Sequence, residues 1–260
     1  MNRILVAAAV AVAAAVAVPS IAQGATIHRD GKTPHRILLQ DAVGETNLVS
    51  VEGSKSVVFH DLNVPIEIAG VPTCMAIDAY TVSCSAVRRI ELDLGVGQDH
   101  ALIDSTLPVE IDGGAGNDRY NAATTRGPSR VNFAGGIGLD TASYGLATAG
   151  VNVAVDLEPG DGRAGDNDRI HRDVESVFGS QFSDVLAGSD RTMQLRGLEG
   201  DDVITGGIAA ELLSGDGGND RIDARDGAPD TVDCGGQLLD WAAVDIDAET
   251  SITDCAAIVG

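Results

Sequence analysis

Aspartate recurs at Asp184, Asp202 and Asp220, 18 residues apart, and each closes a Gly-rich turn of six residues that leads into a short apolar run. The nine-residue units are GSQFSDVLA (179–187), GLEGDDVIT (197–205) and GDGGNDRID (215–223), with GGAGNDRYN (113–121) as the cleanest copy. All are readings of G-G-x-G-x-D-x-U-x, in which U is apolar. Glycine at the first, second and fourth places permits positive φ and close backbone approach, so carbonyl oxygens can turn toward a common point. The aspartate adds a hard anionic oxygen. That donor set suits calcium, which takes six to eight oxygen ligands at about 2.3–2.6 Å in loose geometry.

Two nonapeptides make one coil of roughly 18 residues, and parallel strands stack about 4.8 Å apart, so aspartates one coil apart face each other along an edge. Without a cation that column opposes folding. Two carboxylates about 4.8 Å apart repel by roughly 1 kcal/mol in water and about 3.5 kcal/mol at an effective dielectric near 20. The expected metal-binding turns are Gly113, Gly114, Gly116 with Asp118; Gly135, Gly136, Gly138 with Asp140; Gly179 with Asp184; Gly197, Gly200 with Asp202; and Gly215, Gly218 with Asp220. Asp99, in LGVGQDHAL (94–102), marks a weaker first copy. The intervening half-coils GSDRTMQLR (188–196) and GGIAAELLS (206–214) carry Met193 and Glu211 where aspartate should stand. Calcium is therefore expected mainly along one edge, that of Asp184, Asp202 and Asp220.

The elements that must hold these turns are short strands. The repeat body is expected over 90–233, with Tyr120, Leu186, Ile204 and Ile222 at U positions in a narrow core. Spacings of 19 and 22 between Asp99, Asp118 and Asp140 are a coil plus inserted residues, expected to bulge around 124–129. The pattern lapses over 147–178. There Val151, Val153, Val155 and Leu157 alternate as one longer strand, followed by an acidic loop, 158–168, whose Asp161, Asp166 and Asp168 do not complete an EF-hand series. A solvated surface loop is the expectation, with a separate calcium loop as the alternative. Residues 25–89 are not repetitive. Their apolar runs at 36–40, 47–51, 56–60 and 65–69 predict a small antiparallel β unit. Stacked repeats need an atypical last unit to cover the open end, and 234–260, with Trp241, reads as that cap.

The N-terminus places Asn2-Arg3 before an uncharged apolar run, 4–18, then Pro19, Ser20 and small residues. It reads as a secretory signal peptide over 1–24, too short in its apolar run to span a bilayer comfortably. The four cysteines form two local pairs, Cys74 with Cys84 and Cys234 with Cys255. In an exported chain the simple reading is two disulfides, although this pairing is one of three connectivities. Neither pair has the spacing or His neighbours of a zinc site. A formal net charge of −22 argues against nucleic acid and anionic membranes and for a cation partner.

Together these residues resemble the hemolysin-type, or repeats-in-toxin (RTX), calcium-binding β-roll family. The match runs from about Leu94 to Val259 and is strongest at GGAGNDRYN and GDGGNDRID. The blocks FAGGIGLDTASY and VESVFGSQFSDVLAG, the short N-terminal unit with its Cys pair and the Cys-closed end resemble secreted actinobacterial calcium-binding proteins. The resemblance implies an all-β, right-handed parallel β-roll, or β-solenoid. It also implies Ca2+ held by turn carbonyls and sixth-place aspartates, with folding after export. The family's toxins and proteases leave by a C-terminal signal, whereas this chain begins with an N-terminal one.

The leading expectation is a secreted, non-enzymatic calcium-binding protein, extracellular and open to attachment at a cell surface; a protein or glycan partner is not legible. About 65 residues precede the repeats, with no H-E-x-x-H and no G-x-S-x-G, so an appended catalytic domain does not fit. The alternatives are a polysaccharide lyase or epimerase built on the roll, which would need basic or aromatic groove residues, and an adhesin, which would need regular Thr or aromatic rows. His28, His35, His60, His100 and His171 are dispersed and read as ordinary surface or strand residues.

Overall fold

The computed structural model describes residues 25–29, 36–40, 46–123, 125–245 and 251–260. The signal-peptide segment 1–24 lies outside the described residues, as does Thr124 at the start of the expected bulge. Regular structure among the described residues is entirely β, in three sheets of seven, twelve and seven strands. Among the described residues no helix is long and apolar enough to cross a membrane.

The chain alternates between sheets. Strands Arg89–Asp93, Val109–Ala115 and Val131–Ile137 stack in parallel in the first sheet. The strands that follow them in sequence, His100–Ser105, Arg119–Ala122 and Thr141–Ser143, stack in parallel in the twelve-stranded sheet. That second sheet continues through Ser176–Phe178, Gln194–Glu199, Leu212–Gly217 and Thr231–Asp233. These alternate with Val185–Ala187, Val203–Thr205 and Arg221–Ala224 of the third sheet. Register keeps equivalent positions in column: Ile204 pairs with Leu186 and Ile222, and Tyr120 with Ala101 and Ala142. The period-2 alternation turns all of these inward, and all are fully buried. The core also holds Tyr120 against Phe133, 5.8 Å between ring centroids, and edge-on to Tyr144 at 6.0 Å, all three fully buried.

The lapse at 147–178 is where one outer sheet hands over to another. Val151–Ala154 opens the third sheet, and Arg169–Ile170 ends the first. Asp161 joins them: Oδ1 accepts from the Ala154 amide and Oδ2 from the Ile170 amide, each at 2.8 Å. Asp168 accepts from the Val131 amide at 2.8 Å, from Ser129 Oγ at 3.1 Å and from the Tyr120 and Tyr144 hydroxyls at 3.4 Å. Asp166 takes the Ser129 amide and the Arg163 guanidinium. The solvated-loop expectation is thereby corrected. All three aspartates are buried, because they terminate backbone amides left over at the handover. The longer strand ends at Ala154 rather than Leu157, which sits at φ +82° and is partly exposed.

Two further expectations are corrected. Residues 25–89 do contain antiparallel pairs, including Leu48–Gly53 with Ser56–Asp61. They are not a separate unit, however, because Arg36–Gln40 and Leu48–Gly53 pair in parallel with Arg89–Asp93 and His100–Ser105, extending both sheets. At the other end, Trp241 does not cover the core. Its neighbour Ala242, in register with Ile222, points inward, so Trp241 faces outward, where the Arg221 guanidinium lies 4.5 Å from its ring centroid. Both local cysteine pairs are bonded, Cys74–Cys84 and Cys234–Cys255. The second ties the strand Thr231–Asp233 to Ser251–Thr253, which continues the parallel register.

Candidate metal centre

Each sixth-place aspartate sits at the end of a turn, one residue before a strand, and its backbone amide donates to the carboxylate one rung further on. Along the turns that enter the twelve-stranded sheet, Asp99 N donates to Asp118 Oδ1 at 2.9 Å, Asp118 N to Asp140 Oδ1 at 2.8 Å, and Asp140 N to Glu175 Oε2 at 2.8 Å. Along the turns that enter the third sheet, Asp184 N donates to Asp202 Oδ1 at 2.8 Å, Asp202 N to Asp220 Oδ1 at 2.9 Å, and Asp220 N to Asp240 Oδ1 at 2.9 Å. One oxygen of each carboxylate is thus fixed by the preceding rung. The other, Oδ2 of Asp118, Asp140, Asp202 and Asp220, is buried and accepts no hydrogen bond. A buried carboxylate oxygen without a donor is costly unless a cation meets it.

The first-place glycines explain where those oxygens point. A Cβ added at Gly197 would run into Asp202 Oδ2 and lie 2.8 Å from the Gly215 carbonyl oxygen; one at Gly215 would run into Asp220 Oδ2 and lie 2.7 Å from the Cys234 carbonyl. One at Gly113 would lie 2.7 Å from Asp118 Oδ2 and collide with the Gly135 carbonyl. So the space left by each missing side chain is shared by a carboxylate oxygen of its own turn and a carbonyl oxygen of the next rung. The second- and fourth-place glycines have the other role. Gly114, Gly116, Gly136, Gly138, Gly200 and Gly218 hold positive φ that brings successive turns into close backbone contact.

Burial pushes the carboxyl of Asp202 up to about 8, with the Asp184 and Asp220 charges adding to it. Burial likewise raises Asp118 to about 7, and Asp140 and Asp220 to about 6. A cation bound beside these carboxylates would favour their charged form and offset the burial and like-charge repulsion that raise them.

The structure brings the predicted residues together on two edges instead of one. Asp118 and Asp140 precede strands of the twelve-stranded sheet, whereas Asp184, Asp202 and Asp220 follow strands of that sheet and lie at its opposite margin. The handover shifts the loaded turn by half a coil, which the uninterrupted Asp numbering conceals. Asp184 also differs from its column. With Ser180 in the second place, its Oδ2 accepts from the Ser180 amide at 2.5 Å and its Oδ1 from Ser180 Oγ at 2.8 Å, so both oxygens already have protein donors.

The supposedly poor edge holds a further group. Glu211, Asp226 and Asp230 offer ligand oxygens that all lie within 4.8 Å of one another. The signal for two of them was present in the sequence, since Glu211 and Asp230 are 19 residues apart, one coil; Asp226, at the second place of RDGAPDTVD, carried none. No protein-family model matches the chain, and no curated protein matches it either.

Proposed function

We propose that this chain is a secreted, non-enzymatic calcium-binding repeat protein, a right-handed parallel β-roll of the hemolysin-type kind whose fold is consolidated by Ca2+. The observation that carries this reading is the convergence, rung after rung, of an undonated buried aspartate oxygen with a glycine-turn carbonyl of the neighbouring rung. Asp118 and Asp140 on one edge, and Asp202 and Asp220 on the other, would hold the ions together with carbonyls of the Gly113, Gly135, Gly197 and Gly215 turns. A bound divalent cation supplies the positive charge that the protein's own donors leave out. Two disulfides and the apolar N-terminal run support an oxidising, extracellular setting.

Far-UV circular dichroism and thermal unfolding in chelator, in millimolar CaCl2 and in millimolar MgCl2 test the reading. Calcium should raise the melting temperature and strengthen the β signal, and magnesium, which demands tighter octahedral geometry, should not. Superimposable curves in all three conditions would refute it.

A further inference from the structure

On a chain with 39 Asp and Glu, one strip of the twelve-stranded sheet is free of acids. It crosses the neighbouring strands Arg119–Ala122, Thr141–Ser143 and Ser176–Phe178, and Gln194–Glu199 as far as Arg196. Alternation turns Tyr120, Ala142, Val177 and Leu195 into the core, all fully buried, so the residues between them face outward. Every one of those outward residues is neutral or basic. The outer face of the first sheet, by contrast, presents Glu91, Asp93, Glu110 and Asp112 on two adjacent strands.

The strip brings together Arg119, Phe178 and Arg196, which the sequence keeps far apart. Arg119 Nε donates to Asn121 Oδ1 and its Nη2 to Ser143 Oγ, both at 2.9 Å, and its guanidinium carbon lies 5.3 Å from the Phe178 ring centroid. These partners fix the fork without neutralising it. Arg196 approaches the same ring to 5.8 Å from the strand on the other side, but Asp216 accepts from its Nε and Nη2 at 2.9 Å each and cancels its charge. One oriented, uncompensated guanidinium therefore stands beside a half-buried aromatic ring. Its planar fork matches a carboxylate.

We infer that this strip binds a sparsely charged acidic glycan, with one uronic-acid carboxylate on Arg119, the apolar edge of a sugar on Phe178, and sugar hydroxyls on Asn121, Thr141, Ser176 and Gln194. Strands about 4.8 Å apart set these neutral polar groups in rows across successive rungs. A single unpaired guanidinium suits one carboxylate among many hydroxyls. The net charge of −22 opposes a densely charged polyanion, whereas salt screens one carboxylate from acids more than about 8 Å away. The strip has no carboxylate pair of the kind that cleaves glycosidic bonds, so the contact is binding. It requires no metal ion at the glycan and goes beyond the calcium reading.

Calorimetric titration of the full mature chain in millimolar CaCl2 and physiological salt tests it. The probes are xylotriose carrying one glucuronic acid, xylotriose itself, and polygalacturonate. The acidic oligosaccharide should bind wild type at least about tenfold more tightly than its neutral parent, the worth of one charge-assisted pair. Arg119→Gln should abolish that preference. Ser176→Tyr leaves the Arg119 contacts in place, puts a strand-compatible aromatic in the path of the glycan, and should weaken binding at least about tenfold. Thermal unfolding of both variants confirms that they fold. No binding by folded wild type, equal binding of the neutral sugar, or undiminished binding by both variants would overturn the inference, as would tighter binding of polygalacturonate. Wild type that binds the acidic oligosaccharide equally well in chelator, with unfolding curves indifferent to calcium, would leave this strip standing and refute the calcium reading alone.

Discussion

The backbone amide of Asp118 donates to Oδ1 of Asp140, 2.8 Å away across one rung although 22 residues separate them in the chain. The same relationship links Asp202 to Asp220 on the opposite edge, at 2.9 Å and 18 residues. A column of carboxylates is therefore not simply a column of repelling charges. Half of each group is stabilised by the backbone of its neighbour, and only the remaining oxygen calls for a cation. This preorganises the ladder before any ion arrives.

It follows that aspartates of one column are not equivalent. Asp202 Oδ2 has no protein donor, whereas both oxygens of Asp184 are taken by Ser180 and the Val151 amide. Asp202→Asn should remove calcium-dependent stabilisation of about 1.4 kcal/mol at tenfold ion excess over the dissociation constant. Asp184→Asn should lower stability by about 1 kcal/mol whether calcium is present or not. Urea unfolding of both variants with and without CaCl2 checks this; equal calcium dependence in the two would contradict it.

The second place of the motif offers a test of backbone strain. Gly114 and Gly136 stand there at φ +93° and +102°, but in GLEGDD the place is filled by Leu198 at φ +83°. A leucine in the left-handed region is strained by about 1–3 kcal/mol. Leu198→Gly should therefore raise the unfolding free energy by about 1 kcal/mol. Gly218→Ala should lower it by more than about 2 kcal/mol, since Gly218 holds φ +141° and an added Cβ would strike the Gly200 carbonyl oxygen. A destabilised Leu198→Gly, measured in urea, would contradict the strain argument.

Much of this was legible in residue spacing. The 18-residue period gave strands, turns and inward columns, because each rung contacts only its neighbours and local pattern suffices. What escaped was non-local. Nothing near Asp161 or Asp168 in sequence announces that their partners are Ala154, Ile170, Ser129 and Val131, so a run of acids read as solvated became a buried junction. The two-edge placement of Asp118 and Asp202 depends on that junction, which moves the loaded turn by half a coil. Trp241 was misplaced for a simpler reason: a one-residue change of alternation exchanges the inner and outer faces of a strand.

The junction also sets a pH dependence. Burial raises Asp161 to about 7 and Asp168 to about 6, with the neighbouring acids adding to it. The unfolded chain releases these protons near its ordinary value of about 4. Between about pH 4 and 7 the folded state thus binds more protons, and the stability these groups contribute is lost as pH rises through that window. With calcium held constant, wild type should lose more stability between about pH 5 and pH 8 than Asp161→Asn, which cannot ionise. Parallel pH curves for the two proteins, from urea midpoints, would contradict the assignment.

The most direct measurement is diffraction from crystals grown in calcium, with anomalous scattering used to place the ions. Anomalous peaks are predicted beside Oδ2 of Asp118, Asp140, Asp202 and Asp220, each also in reach of a glycine-turn carbonyl of the adjoining rung. Crystals saturated with calcium that show no peak at any of these four oxygens would contradict the account.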